Sequence, residues 1–180
     1  MRRIGCVGIQ IFILSCLLLC NLVNAANDEE FGTQNNIYLS DWARLKHQAE
    51  LGDPAALFVL GNFYYQPPKG SSFRTNLRKS AEYYFKSGIR GNAAAQYNLA
   101  LMLHQGLGVK LNTIESYAWF KLASINQSPV AKNINQVSAR AISTIEAEID
   151  HKTLALAKKR VDFYINIIDK KLYRKAQFPG

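Results

Sequence analysis

Apolar positions recur along this chain at helical spacing, and glycine, proline and small polar residues interrupt them at short intervals. Trp42, Leu45 and Ala49 share one face of a helix for which Ser40-Asp41 is the expected N-cap. Asp53-Pro54 opens the next helix, with Asp as cap and Pro at the first helical position, and that helix runs to about Tyr65. Gln66 to Asn76 then reads as irregular chain, because it holds Pro67, Pro68, Gly70, Ser71 and Ser72. Lys79 to Ala123 contains a helix, a tight Gly-containing link, a second helix, a Gly-rich loop and the start of a third helix. Beyond it, Ser128-Pro129 starts a helix carrying Val130, Ile134, Val137, Ile142 and Ile145, and Asp150 caps a longer one with Leu154, Val161, Ile165, Ile168 and Leu172 on one face.

The chain also resembles itself. Gly52, Ala55, Ala56, Phe58 and Leu60 stand over Gly91, Ala94, Ala95, Tyr97 and Leu99 at an offset of 39. Tyr83-Tyr84 stands over Trp119-Phe120 at an offset of 36, and the difference of three falls in the Gln66–Asn76 loop, where a solenoid tolerates insertion. Leu60-Gly61-Asn62-Phe63-Tyr64, Gly91-Asn92-Ala93, Gly106-Leu107-Gly108-Val109 and Ala118-Trp119-Phe120-Lys121-Leu122-Ala123 together resemble the Sel-like repeat (SLR), a branch of the tetratricopeptide superfamily. Ala100 and Leu103 replace the Gly and Tyr of that pattern in the second unit, and Pro67-Pro68 stands where its first loop has Gly-x-Gly. The resemblance implies an all-α fold, a right-handed α/α solenoid of about two SLR units with N- and C-terminal capping helices. The repeats fall at about 51–87 and 88–123, inside a solenoid spanning 37–175 with capping helices over 128–175 and a short tail at 176–180.

The N-terminus changes the picture of compartment. Met1-Arg2-Arg3, an apolar run from Ile9 to Leu19, and Val23-Asn24-Ala25 fit a secretory signal peptide cleaved near Ala25, so the protein is expected to be exported, periplasmic or secreted. A retained anchor or lipidation at Cys20 are the alternatives. Residues 26–36 read as a flexible acidic leader with Asp28, Glu29 and Glu30. Cys6, Cys16 and Cys20 all lie within the signal, which leaves the mature chain without a disulfide framework or thiolate metal site.

Charge singles out the C-terminal helix. The formal net charge is +9, and from Lys152 to Gly180 eight basic residues face Asp162 and Asp169. Lys158, Lys159, Lys171 and Arg174 form the candidate basic patch, for an anionic glycan, a lipid surface or an acidic partner; the alternative is a solvated outer face that offsets the helix dipole. No nucleic acid is expected, because no reading motif is present.

No catalytic, metal or cofactor site is expected. His47, His104 and His151 lack the spacing that would put two ligands on one helical face, and Gly106-Leu107-Gly108 has neither the preceding strand nor the Lys-Ser/Thr of a phosphate loop. What remains is surface. In tetratricopeptide-type units the first helix of each pair lines the concave side, which places Ala55, Phe58, Asn62 and Tyr65, then Ala94, Tyr97, Leu101 and His104, toward a groove suited to a peptide or partner helix. The alternative is that the aromatics pack between helices. The expected function is a non-enzymatic adaptor that binds a protein or peptide in the bacterial envelope or at a host interface. The competing expectation is a factor that binds cell-wall glycan or another anionic surface and modulates an envelope enzyme.

Overall fold

The computed structural model describes residues 39–69, 71 and 73–177, with side chains described as far as Ile168. The expected signal peptide and acidic leader, the last residues of the tail, and the side chains of Leu172, Lys171 and Arg174 lie outside what is described. The described residues form helices α1 (Leu39–Glu50), α2 (Pro54–Tyr65), α3 (Leu77–Gly88), α4 (Ala93–Gln105), α5 (Thr113–Ser124), a 3₁₀ turn (Pro129–Ala131), α6 (Lys132–Glu148) and α7 (His151–Gln177). No strand occurs among them. The described residues fold as an α-solenoid, with α2–α3 and α4–α5 as its two helix pairs.

Side-chain caps start these helices where the sequence places them. The Asp53 carboxylate accepts from the Ala56 amide at 2.7 Å and the Asn92 side chain from the Ala95 amide at 2.9 Å. Asn76 and Asn112 do the same for the second helix of each pair, accepting from Lys79 and Glu115 at 3.0 and 3.1 Å. Each bond satisfies an amide that the helix itself leaves without a partner. Gly108 has φ +68°, and a β-carbon there would meet the Leu77 backbone carbonyl carbon at 2.5 Å, so the loop after α4 reaches the start of α3 only because this residue is glycine.

Two expectations about helix ends are corrected. The first helix already includes Leu39, so Ser40 and Asp41 lie within its first turn rather than capping it, and Asp41 pairs with Arg44 at 2.9 Å. Val130 belongs to the 3₁₀ turn, which aims it away from the core face of α6 and leaves it 84% exposed.

The molecule is built around α5. Ser116, Tyr117, Ala118, Trp119, Phe120, Leu122 and Ala123 are all buried, so this helix is enclosed on nearly every side. It packs on α4 within its repeat, and both C-terminal helices pack against it. The Tyr117 hydroxyl donates to Glu146 on α6 at 2.7 Å, and the Tyr164 hydroxyl on α7 donates to Glu115 at 2.8 Å. The two capping helices therefore close the solenoid from different sides of one helix. On α7 the buried seam is Ala157, Val161 and Tyr164, with Leu154, Ile165 and Ile168 partly buried beside it. A smaller cluster of Leu45, Ala49, Ala56, Leu57 and Leu60 joins α1 to α2. Phe73, from the inserted loop, lies 4.6 Å from Trp42 and 5.9 Å from Phe63, so the insertion supplies a ring to the N-terminal end of the solenoid.

Candidate interaction surface

Helical order puts α2 and α4 in one row and α3, α5 and α7 in another, and the two rows differ in charge. Neither α2 nor α4 contains a Lys, Arg, Asp or Glu. The described parts of α3, α5 and α7 carry Arg78, Lys79, Lys86, Lys121, Lys152, Lys158, Lys159 and Arg160 against Glu82, Glu115 and Asp162, eight basic to three acidic, a balance of +5. The first helices of the two repeats are thus uncharged and the second helices, with α7, cationic, while α6, which the alternation adds beyond α4, carries Lys132 and Arg140 against Glu146 and Glu148.

On the uncharged row the structure separates the expected groove residues into two groups. Asn62, Tyr65, Ala94, Leu101 and His104 are half-buried and Ala55 is exposed, so this part of the set has open surface. Phe58 and Tyr97 do not. They are 6% and 2% exposed, because each turns inward onto a ring of its own second helix, Phe58 onto Tyr84 at 5.9 Å and Tyr97 onto Phe120 at 5.6 Å. These two are core residues. Asn62 is held by the Tyr84 hydroxyl, which donates to its Oδ1 at 2.7 Å.

On the cationic row Lys158 and Lys159 are both exposed. Arg160 is engaged inward. Its Nε lies 3.0 Å from one oxygen of Glu115 while Tyr164 occupies the other. Burial, and then the hydrogen bond to Glu115, holds the Tyr164 hydroxyl above the ordinary tyrosine range. Burial and Glu146 do the same to Tyr117. The Asp150 carboxylate, which caps α7, sits below its ordinary range because it accepts from the Thr153 amide and hydroxyl.

Sequence reasoning missed a polar strut between the repeat and its cap. The Asn126 amide donates to the Gly91 carbonyl at 2.9 Å and to Gln96 at 3.1 Å, while Gln96, itself buried, donates to the Gly88 carbonyl at 3.0 Å. Asn135 on α6 then donates to the Asn126 carbonyl at 3.0 Å. No periodicity announces such a network; only the amide at Gln96, on an otherwise apolar face, hints at it. Among the described residues no group of three or more His, Cys, Asp or Glu side chains comes together.

The model of the Sel1 repeat matches residues 54–92 and 93–127, segments whose starts coincide with those of α2 and α4. These two segments of the chain thus match the Sel1 repeat. The chain is 37% identical over 71 residues to chitin synthase regulatory factor 3 of Schizosaccharomyces pombe, a stretch that is 39% of this chain and 7% of that protein. The fold resembles the SLR-fold crystal structure of a protective antigen present in uropathogenic Escherichia coli strains, with a TM-score of 0.62 and 24% identity over 76% of this chain and 27% of that one. A Sel1 repeat protein from Oxalobacter formigenes aligns with a TM-score of 0.47 and 23% identity, over 71% of this chain and 50% of the other. The chain thus spans only a small part of the curated relative it matches.

Proposed function

We propose that this protein is an exported, non-enzymatic Sel1-repeat scaffold that holds a protein partner on the α2–α4 row, in the bacterial envelope or at a host interface. The observation that carries the reading is the uncharged surface of that row, where Tyr65, Leu101 and His104 stand half-open beside the tethered Asn62 amide. A surface without charged side chains favours an extended peptide or the apolar face of a helix, since neither leaves an ion unpaired on docking. A few such anchors carry most of the affinity of an interface. Two repeats of the Sel1 type and the regulatory name of the fission-yeast relative support a binding role over a catalytic one.

Photo-crosslinking amino acids at Tyr65 and Leu101 test the reading in intact cells, with Lys159 on the other row as the control. A discrete protein adduct from the first two positions and not from Lys159 is expected. Adducts from Lys159 alone would overturn the assignment of the row. Export rests on residues 1–25, and N-terminal sequencing of the protein from the envelope or medium is expected to begin at Ala26.

A further inference from the structure

The outer side of α7 carries a second seam. Lys152, Leu156, Lys159 and Phe163 follow one another at steps of four, three and four residues, the spacing that aligns them along one helical ridge. The buried seam of Ala157, Val161 and Tyr164 runs along another side of the same helix, so this ridge is not part of the core. Leu156 is 46% exposed between Lys152 and Lys159, and Phe163 is 51% exposed beside Lys159, with the Arg160 guanidinium 5.4 Å from its ring centre. Ring contacts run inward from this ridge to α3. Phe163 touches Tyr164 at 5.4 Å, Tyr164 touches Trp119 at 4.5 Å, and Trp119 touches Phe85 of α3 at 5.6 Å, where Phe85 is again 40% exposed. Lys86 follows Phe85 directly and is exposed. The exposed rings of Phe163 and Phe85 are therefore joined beneath the surface through the buried rings of Tyr164 and Trp119.

Among the described residues, Lys79, Lys86, Lys152, Lys158 and Lys159 enter no ion pair, whereas Arg78 and Arg160 are compensated by Glu82 and Glu115. The Lys79 ammonium lies 5.2 Å from the centre of the Tyr64 ring and that of Lys86 5.4 Å from the Tyr83 ring, so the positive charge left to face solvent lies on Lys152, Lys158 and Lys159, whose long stems let the ammonium reach outward. Exposed rings and a leucine flanked by such lysines match an interface in which apolar groups enter the acyl boundary and cations meet headgroup phosphates. A soluble polyanion would use the lysines and leave Leu156, Phe85 and Phe163 without a role. No described helix is long and apolar enough to cross a membrane, so the contact is peripheral.

We propose that the second-helix row, through Phe85, Leu156, Phe163 and the lysines around them, is a docking surface for an anionic phospholipid membrane, separate from the partner surface on α2–α4. The chain has two tryptophans, and Trp119 lies under this surface at 1% exposure while Trp42 is on α1. In the full chain carrying Trp42→Phe, Trp119 becomes a local reporter that the N-terminal apolar run does not confuse. Emission is expected to be quenched by phosphatidylglycerol vesicles with brominated acyl chains and not by brominated phosphatidylcholine vesicles. Phe163→Ser is expected to weaken the anionic-vesicle affinity read this way by about tenfold. Lys152→Glu and Lys159→Glu are each expected to weaken it about fivefold or more. Helical circular dichroism and melting of each variant must match the parent. Sedimentation with anionic vesicles without quenching of Trp119 would place the contact elsewhere and overturn the proposal. So would quenching that survives the lysine reversals, or retention on an anionic polysaccharide with no vesicle binding.

Discussion

At the centre of the first repeat Phe58 lies against Tyr84; at the centre of the second Tyr97 lies against Phe120. The ring pair is kept, and the phenol has changed sides. In the first repeat the Tyr84 hydroxyl donates to Asn62; in the second the corresponding residues are Phe120 and Leu101, so donor and acceptor have been lost together. The glycine beneath the pair changes too. Gly61 lies flat under Tyr84, where an added β-carbon would come within 2.5 Å of the ring, whereas the second repeat holds the fully buried Ala100 at that place. The seryl position survives: the Ser116 hydroxyl donates to the Ala100 carbonyl at 2.9 Å and Ser80 is its counterpart, also buried. Two units of one plan thus share their caps and their ring contact, while side chains that touch each other have changed as sets.

The comparison breaks most visibly at Trp119. Its counterpart Tyr83 is half-buried and stacks on Tyr64 at 5.5 Å, while Trp119 is enclosed between Phe85 and Tyr164. Trp119→Ala is expected to cost about 3–5 kcal/mol in urea unfolding, as a large buried ring does when it leaves a cavity. Tyr83→Ala should cost clearly less. Equal losses would mean that the second repeat owes no extra stability to its capping helices. Next in size is Gly61→Ala. A methyl group driven into the Tyr84 ring is expected to cost about 1–3 kcal/mol, against the gain in helix propensity that the same change would bring on an open face. A neutral outcome would show that Tyr84 can shift to admit the methyl group.

The coupled change at Asn62 and Tyr84 sharpens the comparison further. Tyr84→Phe leaves a half-buried amide oxygen without its donor and is expected to cost about 1 kcal/mol. Asn62→Leu in that background recreates the pair found in the second repeat, and the double variant is expected to recover most of the loss. The double-mutant cycle measures it directly, and simple additivity would sink the idea that the two positions vary as a unit.

How far this was legible beforehand depends on the kind of signal. Asp53-Pro54 announces a helix start through local chemistry, and the offsets of 39 and 36 announce the pairing, so the solenoid could be read directly. Phe58 and Tyr97 could not be placed in the same way. A ring at a periodic position of a first helix serves an open groove or an inward pair equally well, and only the partner helix decides. The role of α5 was hidden for the opposite reason: a helix buried on nearly every side presents no single apolar face to read. Charge was read along the chain and credited to the C-terminal helix, but sorting it by row shows that α3 shares it and that α2 and α4 have none. Leu156 and Phe163 lie off the core seam, so a search for one apolar face passed over them.

The smallest expected effect concerns the caps. The repeats start three of their four helices with Asn76, Asn92 and Asn112, side chains that cannot titrate, whereas α7 starts on Asp150. The folded Asp150 carboxylate is held below its ordinary range, first by the Thr153 amide and then by the Thr153 hydroxyl. A depressed carboxylate contributes stability that is present above the unfolded aspartate value of about 3.9 and is lost as pH falls through the folded value. Asp150 is fully exposed, so solvent screens the contribution and the effect is modest. Asp150→Asn keeps an oxygen for the Thr153 amide and removes the titration, as in the repeats. Thermal melts of the variant and the parent are expected to differ little at neutral pH, where both caps accept the same bond. Below about pH 4 the parent should lose more of its stability than the variant, because only its cap becomes protonated. An identical acid dependence in the two proteins would mean that α7 is held by its contacts with α5 alone, through Glu115, Trp119 and Tyr164, and that its first turn adds nothing to the docking of the helix.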